Sequence, residues 1–121
     1  MKERKRLKLP RTVRLTSGVQ FAHVREHGRA YRGEFMTFAV ADSASEEPAR
    51  IGVITSKRVG AAVVRNRIRR RLRELFRTNQ RQIRAGVWVV TIARATAARA
   101  PFAALQAEWL RLAERASILR A

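Results

Sequence analysis

The stretch Ser56-Lys57-Arg58-Val59-Gly60-Ala61-Ala62-Val63-Val64-Arg65-Asn66-Arg67-Ile68-Arg69-Arg70-Arg71-Leu72-Arg73-Glu74-Leu75-Phe76-Arg77 carries two patterns at once. From Val63 onward, Val64, Ile68, Leu72, Leu75 and Phe76 recur at helical spacing and share one face, which predicts a helix of three to four turns. The other side is cationic. Arg65, Arg69 and Arg73 stand four residues apart with Asn66, Arg70 and Arg77 beside them, while Arg67 and Arg71 flank the apolar stripe. Residues 57–77 hold nine cations against one acid, Glu74. Like charges four apart cost about 0.2–0.5 kcal/mol each in an isolated helix, so this face is unfavourable for the free chain and answers something outside it. Every helical cation is arginine, whose planar fork grips phosphate oxygens and stacks on bases, whereas lysine acts as a point charge.

Working outward, the flanking segments read as strands. Residues 51–56 are strand-like, and residues 35–41 alternate Phe35, Thr37, Ala39 with Met36, Phe38, Val40. Turn chemistry from Asp42 to Pro48 separates them, which predicts a hairpin between the two, preceded by a short strand near 30–32. Beyond the basic helix, Ala85-Gly86 is a break, and residues 87–92 are apolar on both alternate faces, the pattern of an interior strand covered on both sides. Two strands separated by a helix form a βαβ unit, so the sheet is partly parallel. Thr16 or Ser17 can cap a first helix bearing Val19, Phe21 and Val24, ending at Gly28, a residue suited to the left-handed position after a helix. Pro101 opens a last helix with Phe102, Leu105, Trp109, Leu112 and Ala116 on one stripe. The order α-β-β-β-α-β-α with a mixed sheet defines an α/β fold, a two-layer sandwich.

A chain of 121 residues has room for one domain with one core. The expected organisation is a basic flexible arm over 1–14, with seven cations against Glu3, and a single domain over 15–121. A hydrophobic fraction of 46% supports a core despite a net charge of +18. Charge of that size destabilises the compact state and attracts polyanions; nucleic acid is the first candidate partner and an anionic membrane surface the second. Charged residues interrupt every apolar run well short of the ~18 residues a membrane-spanning helix needs. The basic start is followed by Pro10, Arg11 and Arg14 rather than an apolar segment, so it does not read as a secretory signal, and a cytoplasmic location is expected. Without cysteine there are no disulfides or thiolate metal sites.

Protein-borne hydrolysis of phosphodiesters by two metals requires converging carboxylates. The chain has one aspartate, Asp42, and scattered glutamates, of which only Glu46 and Glu47 are adjacent, in a turn-like loop. His23 and His27 have the spacing of two ligands on one helix face but lack an evident third, and read as surface or phosphate-contacting histidines. Gly60 belongs to no phosphate-cradling loop. No catalytic residue and no metal site is expected.

The run 56–77 resembles the Arg-Asn-Arg signature region of the bacterial ribonuclease P protein family: a Lys-basic-Val-Gly turn directly before Ala62-Val63-Val64-Arg65-Asn66-Arg67-Ile68 on a basic helix. The likeness covers about residues 7–119 and takes in Phe21 and Val24 before Gly28-Arg29, the strand pair at 35–56, and the segment 88–94 before the last helix. It implies an uncommon left-handed βαβ crossover, against the general right-handed rule. It further implies that Arg58, Arg65, Asn66, Arg67, Arg69, Arg70 and Arg73 grip the catalytic RNA of ribonuclease P, and that a cleft between sheet and first helix holds the single-stranded 5′ leader of precursor tRNA. Candidates for that cleft are Phe21, Phe38, Lys57 and Arg94, with core packing the competing reading for both phenylalanines. The resemblance places catalysis and magnesium with the RNA, leaves the protein alone without a cofactor, and calls for neither a membrane nor an obligate protein partner. A structural RNA-binding module, such as a ribosomal protein, is the alternative reading. A membrane-binding amphipathic helix is disfavoured, because Val64, Ile68 and Leu72 are needed against the sheet. Three positions depart from the family pattern: Ala61, Arg25 and Arg71. Arg25, where an aromatic often stands, shifts leader contact toward arginine and backbone.

Overall fold

Ser17 starts the first helix. Its hydroxyl accepts the Gln20 backbone N–H while the Gln20 side chain accepts the Ser17 N–H, a reciprocal cap. In this computed structural model, which describes residues 13–120, α1 spans Gly18–His27. Gly28 follows it in extended rather than left-handed conformation. Glycine is needed there for another reason: a Cβ would sit 2.4 Å from the Val24 carbonyl oxygen and 2.8 Å from that of Val40. The basic arm expected over 1–14 lies outside the described residues except for Val13 and Arg14, and these two are seated on the protein, Val13 in the core and Arg14 bridged to Ile51.

Four strands follow: β1 (Arg29–Arg32), β2 (Met36–Asp42), β3 (Arg50–Ile54) and β4 (Val87–Ala93). They lie in the order β1-β2-β4-β3. The expected hairpin between residues 35–41 and 51–56 does not form. Instead β4 enters between β2 and β3, antiparallel to β2 from Met36↔Ala93 to Asp42↔Val87 and parallel to β3 from Arg50↔Trp88 to Ile54↔Ile92. The reason is burial. β4 is apolar on both faces and gains most in the centre of the sheet, whereas β3 carries a glycine and the 41% exposed Ile54 and suits the margin. The outer side of β3 is met by the Leu15 N–H, which donates to the Ile51 carbonyl at 2.8 Å.

The βαβ unit is present as expected, with α2 (Ala62–Asn79) connecting β3 to its neighbour β4. At 18 residues α2 is longer than the predicted three to four turns. Its last turn is held by side chains, Thr78 donating to the Glu74 carbonyl and Asn79 to that of Leu75, so local back-bonding carries the helix past the end of its apolar pattern. The last helix, α3, spans Phe102–Arg115 with Pro101 at its N-cap.

Period two along the strands sorts the residues between two faces. Met36, Phe38, Ile51, Val87 and Val89 join Ile68, Leu72, Leu75 and Phe76 of α2 and Leu105, Trp109 and Leu112 of α3 in the main core. On the opposite face Ala41 and Val90 are covered by Leu15 and Val24, with Phe21, Ala39, Trp88 and Ile92 packed around them. Gly52 makes room for this second cluster, since a Cβ there would lie 2.5 Å from the Phe21 ring. Helices α2 and α3 thus form one layer against the sheet, and α1 adds partial cover behind it. Phe38 is fully buried in the main core, its ring edge-on to Trp109 at 5.6 Å between centroids. It therefore leaves the set of cleft candidates: even residues of β2 face α2 and α3, whereas a cleft against α1 lies on the other side.

Candidate nucleic-acid interface

The apolar stripe of α2 is consumed by the core, which fixes the helix's rotation and turns its arginines outward. Two of them are tied to the segment before α3: Arg67 donates to the Ala98 carbonyl at 3.1 Å and Arg71 to that of Ala100 at 3.3 Å. Arg69 donates to the Thr55 hydroxyl at 2.6 Å and to the Asn66 side-chain oxygen. Arg77 is gripped by both carboxylate oxygens of Glu74, a hydrogen-bonded pairing that raises its guanidinium above the usual arginine value. Among the described residues no carboxylate forms a salt bridge with Arg65, Arg67, Arg69, Arg70, Arg71 or Arg73. Burial, and then the neighbouring guanidiniums of Arg14 and Arg69, push Arg73 below the usual value; it still stays charged, since arginine does not deprotonate in proteins. Arg14 is an addition that the sequence pattern assigned only to a flexible arm. Its bridge to Ile51 extends the cationic side of α2 onto the sheet margin.

Arg58 and Lys57 are exposed on a short helical turn over Lys57–Val59, capped by the Ser56 hydroxyl and anchored by buried Val59. This turn follows β3, and Arg94 follows β4; because those strands are parallel, Lys57 and Arg94 emerge at the same end of the sheet. Arg94 is partly buried, donating to the Gly33 carbonyl at 2.6 Å. Phe21 lies on the α1 side of the sheet, half-buried against Gly52. Lys57 and Arg94 thus share one end of the sheet, Phe21 packs against Gly52 midway along β3 on the α1 side, and Phe38 is on the other face. Sequence reasoning missed the floor residues, Thr37, Ala39 and Ile92, half-buried, and Ile54, exposed, all left partly open beside α1. Strand alternation held the signal for them, but only the observed pairing says which alternate faces α1.

The two histidines are engaged with each other and with the sheet: their rings are 4.9 Å apart, His23 meets Trp88 edge-on at 5.4 Å, and its Nε2 lies 3.2 Å from the Asp42 carbonyl oxygen. Among the described residues no group of three His, Cys, Asp or Glu side chains is arranged to hold a metal. No helix among them is long and apolar enough to cross a membrane.

These features define a class, that of small basic α/β domains with a single mixed sheet, arginines displayed from one helix and a partly open sheet face on the opposite side. Comparison with known proteins narrows the class. Residues 9–117 match the Ribonuclease P family model. The chain is 40% identical to the ribonuclease P protein component of Roseiflexus castenholzii, over 93% of this chain and 92% of that one, and 37% identical to that of Desulfovibrio desulfuricans, over 92% and 88%. Its fold superposes on a solved Staphylococcus aureus RNase P protein with a TM-score of 0.85 at 23% identity, covering 90% of this chain and 92% of the other, and on the Thermotoga maritima RNase P protein with a TM-score of 0.76 at 25% identity, covering 84% and 96%. The chain belongs to the ribonuclease P protein family.

Proposed function

We propose that the chain serves as the protein subunit of the ribonuclease P ribonucleoprotein and aids removal of the 5′ leader from precursor tRNA. The observation that carries this reading is the division of labour across the sheet: six arginines of α2 without a carboxylate salt bridge among the described residues on one side, an open floor beside α1 on the other. Arg58, Arg65, Asn66, Arg67, Arg69, Arg70 and Arg73 meet phosphates of the catalytic RNA, releasing counterions and lowering the salt needed to bring two RNAs together. The leader runs over Phe21, Ile54 and Ile92 toward Lys57 and Arg94. Bases of a single strand offer flat faces to such a floor, and the cations at its end hold the backbone. Catalysis and magnesium reside with the RNA, the protein itself holding no cofactor, and the assembly works in the cytoplasm.

Reconstitution tests this. Added to a bacterial ribonuclease P RNA at low magnesium, the protein raises the rate of precursor tRNA cleavage, and the complex holds precursor more tightly than mature tRNA. No gain in cleavage would overturn the assignment. Equal affinity for precursor and mature tRNA would instead point to a structural RNA-binding module.

A further inference from the structure

The pairing registers align the α1 side of the sheet into rows that cross the strands, because residues directly opposite each other share a face. One row is Arg32, Thr37, Ile92 and Ile54, one residue from each of β1, β2, β4 and β3. The next is Ala30, Ala39, Val90 and Gly52. Helix α1 lies along these rows: Phe21 near its start packs on Gly52 of β3, and Gly28 after its end meets the Val40 carbonyl of β2. It closes the second row over β4 and β3, where Val90 and Gly52 are buried, and leaves the first row open from end to end. Arg32 is exposed, Thr37 and Ile92 are half-buried, and Ile54 is exposed. With strands ~4.8 Å apart, this open strip spans about 14 Å.

Its chemistry changes from one end to the other. Ile54 and Ile92 give an apolar floor on the β3 side, with Lys57 three residues beyond Ile54. On the β1 side the floor turns polar, with the Thr37 hydroxyl and the Arg32 guanidinium. Arg94 is drawn to that side, since it donates to the Gly33 carbonyl next to Arg32. Arg25 belongs to the wall. His23, with His27 beside it, occupies the flank of α1 that meets Trp88 beyond the second row, so helical spacing puts Ala22 and Arg25 on the flank toward the strip. Glu34 is the one acid of the β1–β2 turn, and among the described residues neither Arg25 nor Arg32 forms a salt bridge with a carboxylate. A single strand of nucleic acid lying here rests its bases on the isoleucines and meets cations at both ends. We propose that the 5′ leader crosses the strands along this strip, parallel to α1, and that Arg32 is its phosphate contact at the end away from Lys57. The inference rests on the reading that the face beside α1 holds the leader, and adds to it the direction of the path and a contact residue on β1.

Leader length separates the two ends of the strip. At about 3.4 Å per stacked nucleotide, 14 Å corresponds to about four nucleotides. Affinity of the holoenzyme, reconstituted from the full chain and a bacterial ribonuclease P RNA, is measured for mature tRNA and for precursors whose leaders lengthen one nucleotide at a time. R32A and K57A each bind up to about fivefold more weakly than the wild type, the scale of one exposed charge pair, but only once the leader is long enough to reach the substituted residue. The lengths at which the two losses set in differ by about four nucleotides. On a precursor that spans the strip, R32A lowers the logarithmic salt slope by about 0.7, the value for one phosphate of a single strand, and R32K keeps the wild-type slope. Circular dichroism checks that the exposed position tolerates both changes. Wild-type affinity of either alanine variant for every leader, a loss in R32A as large on mature tRNA as on precursor, or losses that set in at the same length would overturn the transverse path while leaving a leader site beside α1 in place. Absence of any dependence on leader length in the wild type would remove both.

Discussion

Helices α2 and α3 lie on the same face of the sheet and have the same packing task, yet they carry their polar residues differently. Over 18 residues α2 has seven arginines and one glutamate; over 14 residues α3 has Glu108 and Glu114 against Arg111 and Arg115. In α3 one acid is turned inward while the other charged residues face solvent. Glu108 is 2% exposed, and its carboxylate accepts the backbone N–H groups of Glu34, Phe35 and Met36 at 2.6, 2.7 and 2.9 Å, tying the helix to the β1–β2 turn. The same turn is held from the end of β4, where the Arg94 N–H donates to Phe35 and the Thr96 hydroxyl to Glu34. In α2, by contrast, only Glu74 offsets the charge, and burial together with repulsion from neighbouring guanidiniums lowers Arg73. The buried carboxylate of α3 serves folding, whereas the clustered charge of α2 opposes it.

Four substitutions press on that contrast. The largest effect is expected for Ile68→Asp, which places a carboxylate at a fully buried position of α2; the folded state, typically stable by only about 5–15 kcal/mol, is lost, as circular dichroism would show. Next is Glu108→Ala, which strips three backbone donors of their acceptor and costs about 3–4 kcal/mol in denaturant titration, given ~1–3 kcal/mol for each polar group left without a partner. A cost under 1 kcal/mol would mean that α3 does not clamp the turn. Arg65→Ala changes stability little but weakens RNA binding and flattens its logarithmic salt slope by about 0.7–0.9 for each phosphate no longer neutralised. Should affinity and slope both stay put, Arg65 is an ordinary surface charge and the contrast between the helices loses its functional meaning. Smallest is Arg111→Ala: its guanidinium is 64% exposed and 3.8 Å from Glu108, so unfolding free energy shifts by less than about 0.5 kcal/mol and RNA affinity by less than for an arginine of α2.

Much of the molecule was legible along the chain. The spacing of Val64, Ile68 and Leu72 gives α2 and the direction of its arginines, Ser17 with Gln20 gives the start of α1, and the two-sided apolar character of residues 87–92 gives an interior strand. Each of these is a local signal, because period, capping and two-sided burial are set by residues within a few turns or one strand of each other. Local order also misled. Adjacent strand-like runs at 35–41 and 51–56 suggested a hairpin, and the stripe of α3 groups Phe102 with Leu105, although Leu105 is buried and Phe102 is 36% exposed.

What the tertiary structure alone decided is which distant segments compete for the same apolar surface. Insertion of β4 between β2 and β3 settles that Phe38 faces Trp109 while Ala39 faces α1, and so separates a core phenylalanine from the open floor. The meeting of α3 with the β1–β2 turn gives Glu108 its three donors, 72 to 74 residues away in sequence. The sequence determined the elements and the charge they display. Strand order and the choice of exposed face came from burial, which is shared among residues far apart in the chain and has no signature in any one segment.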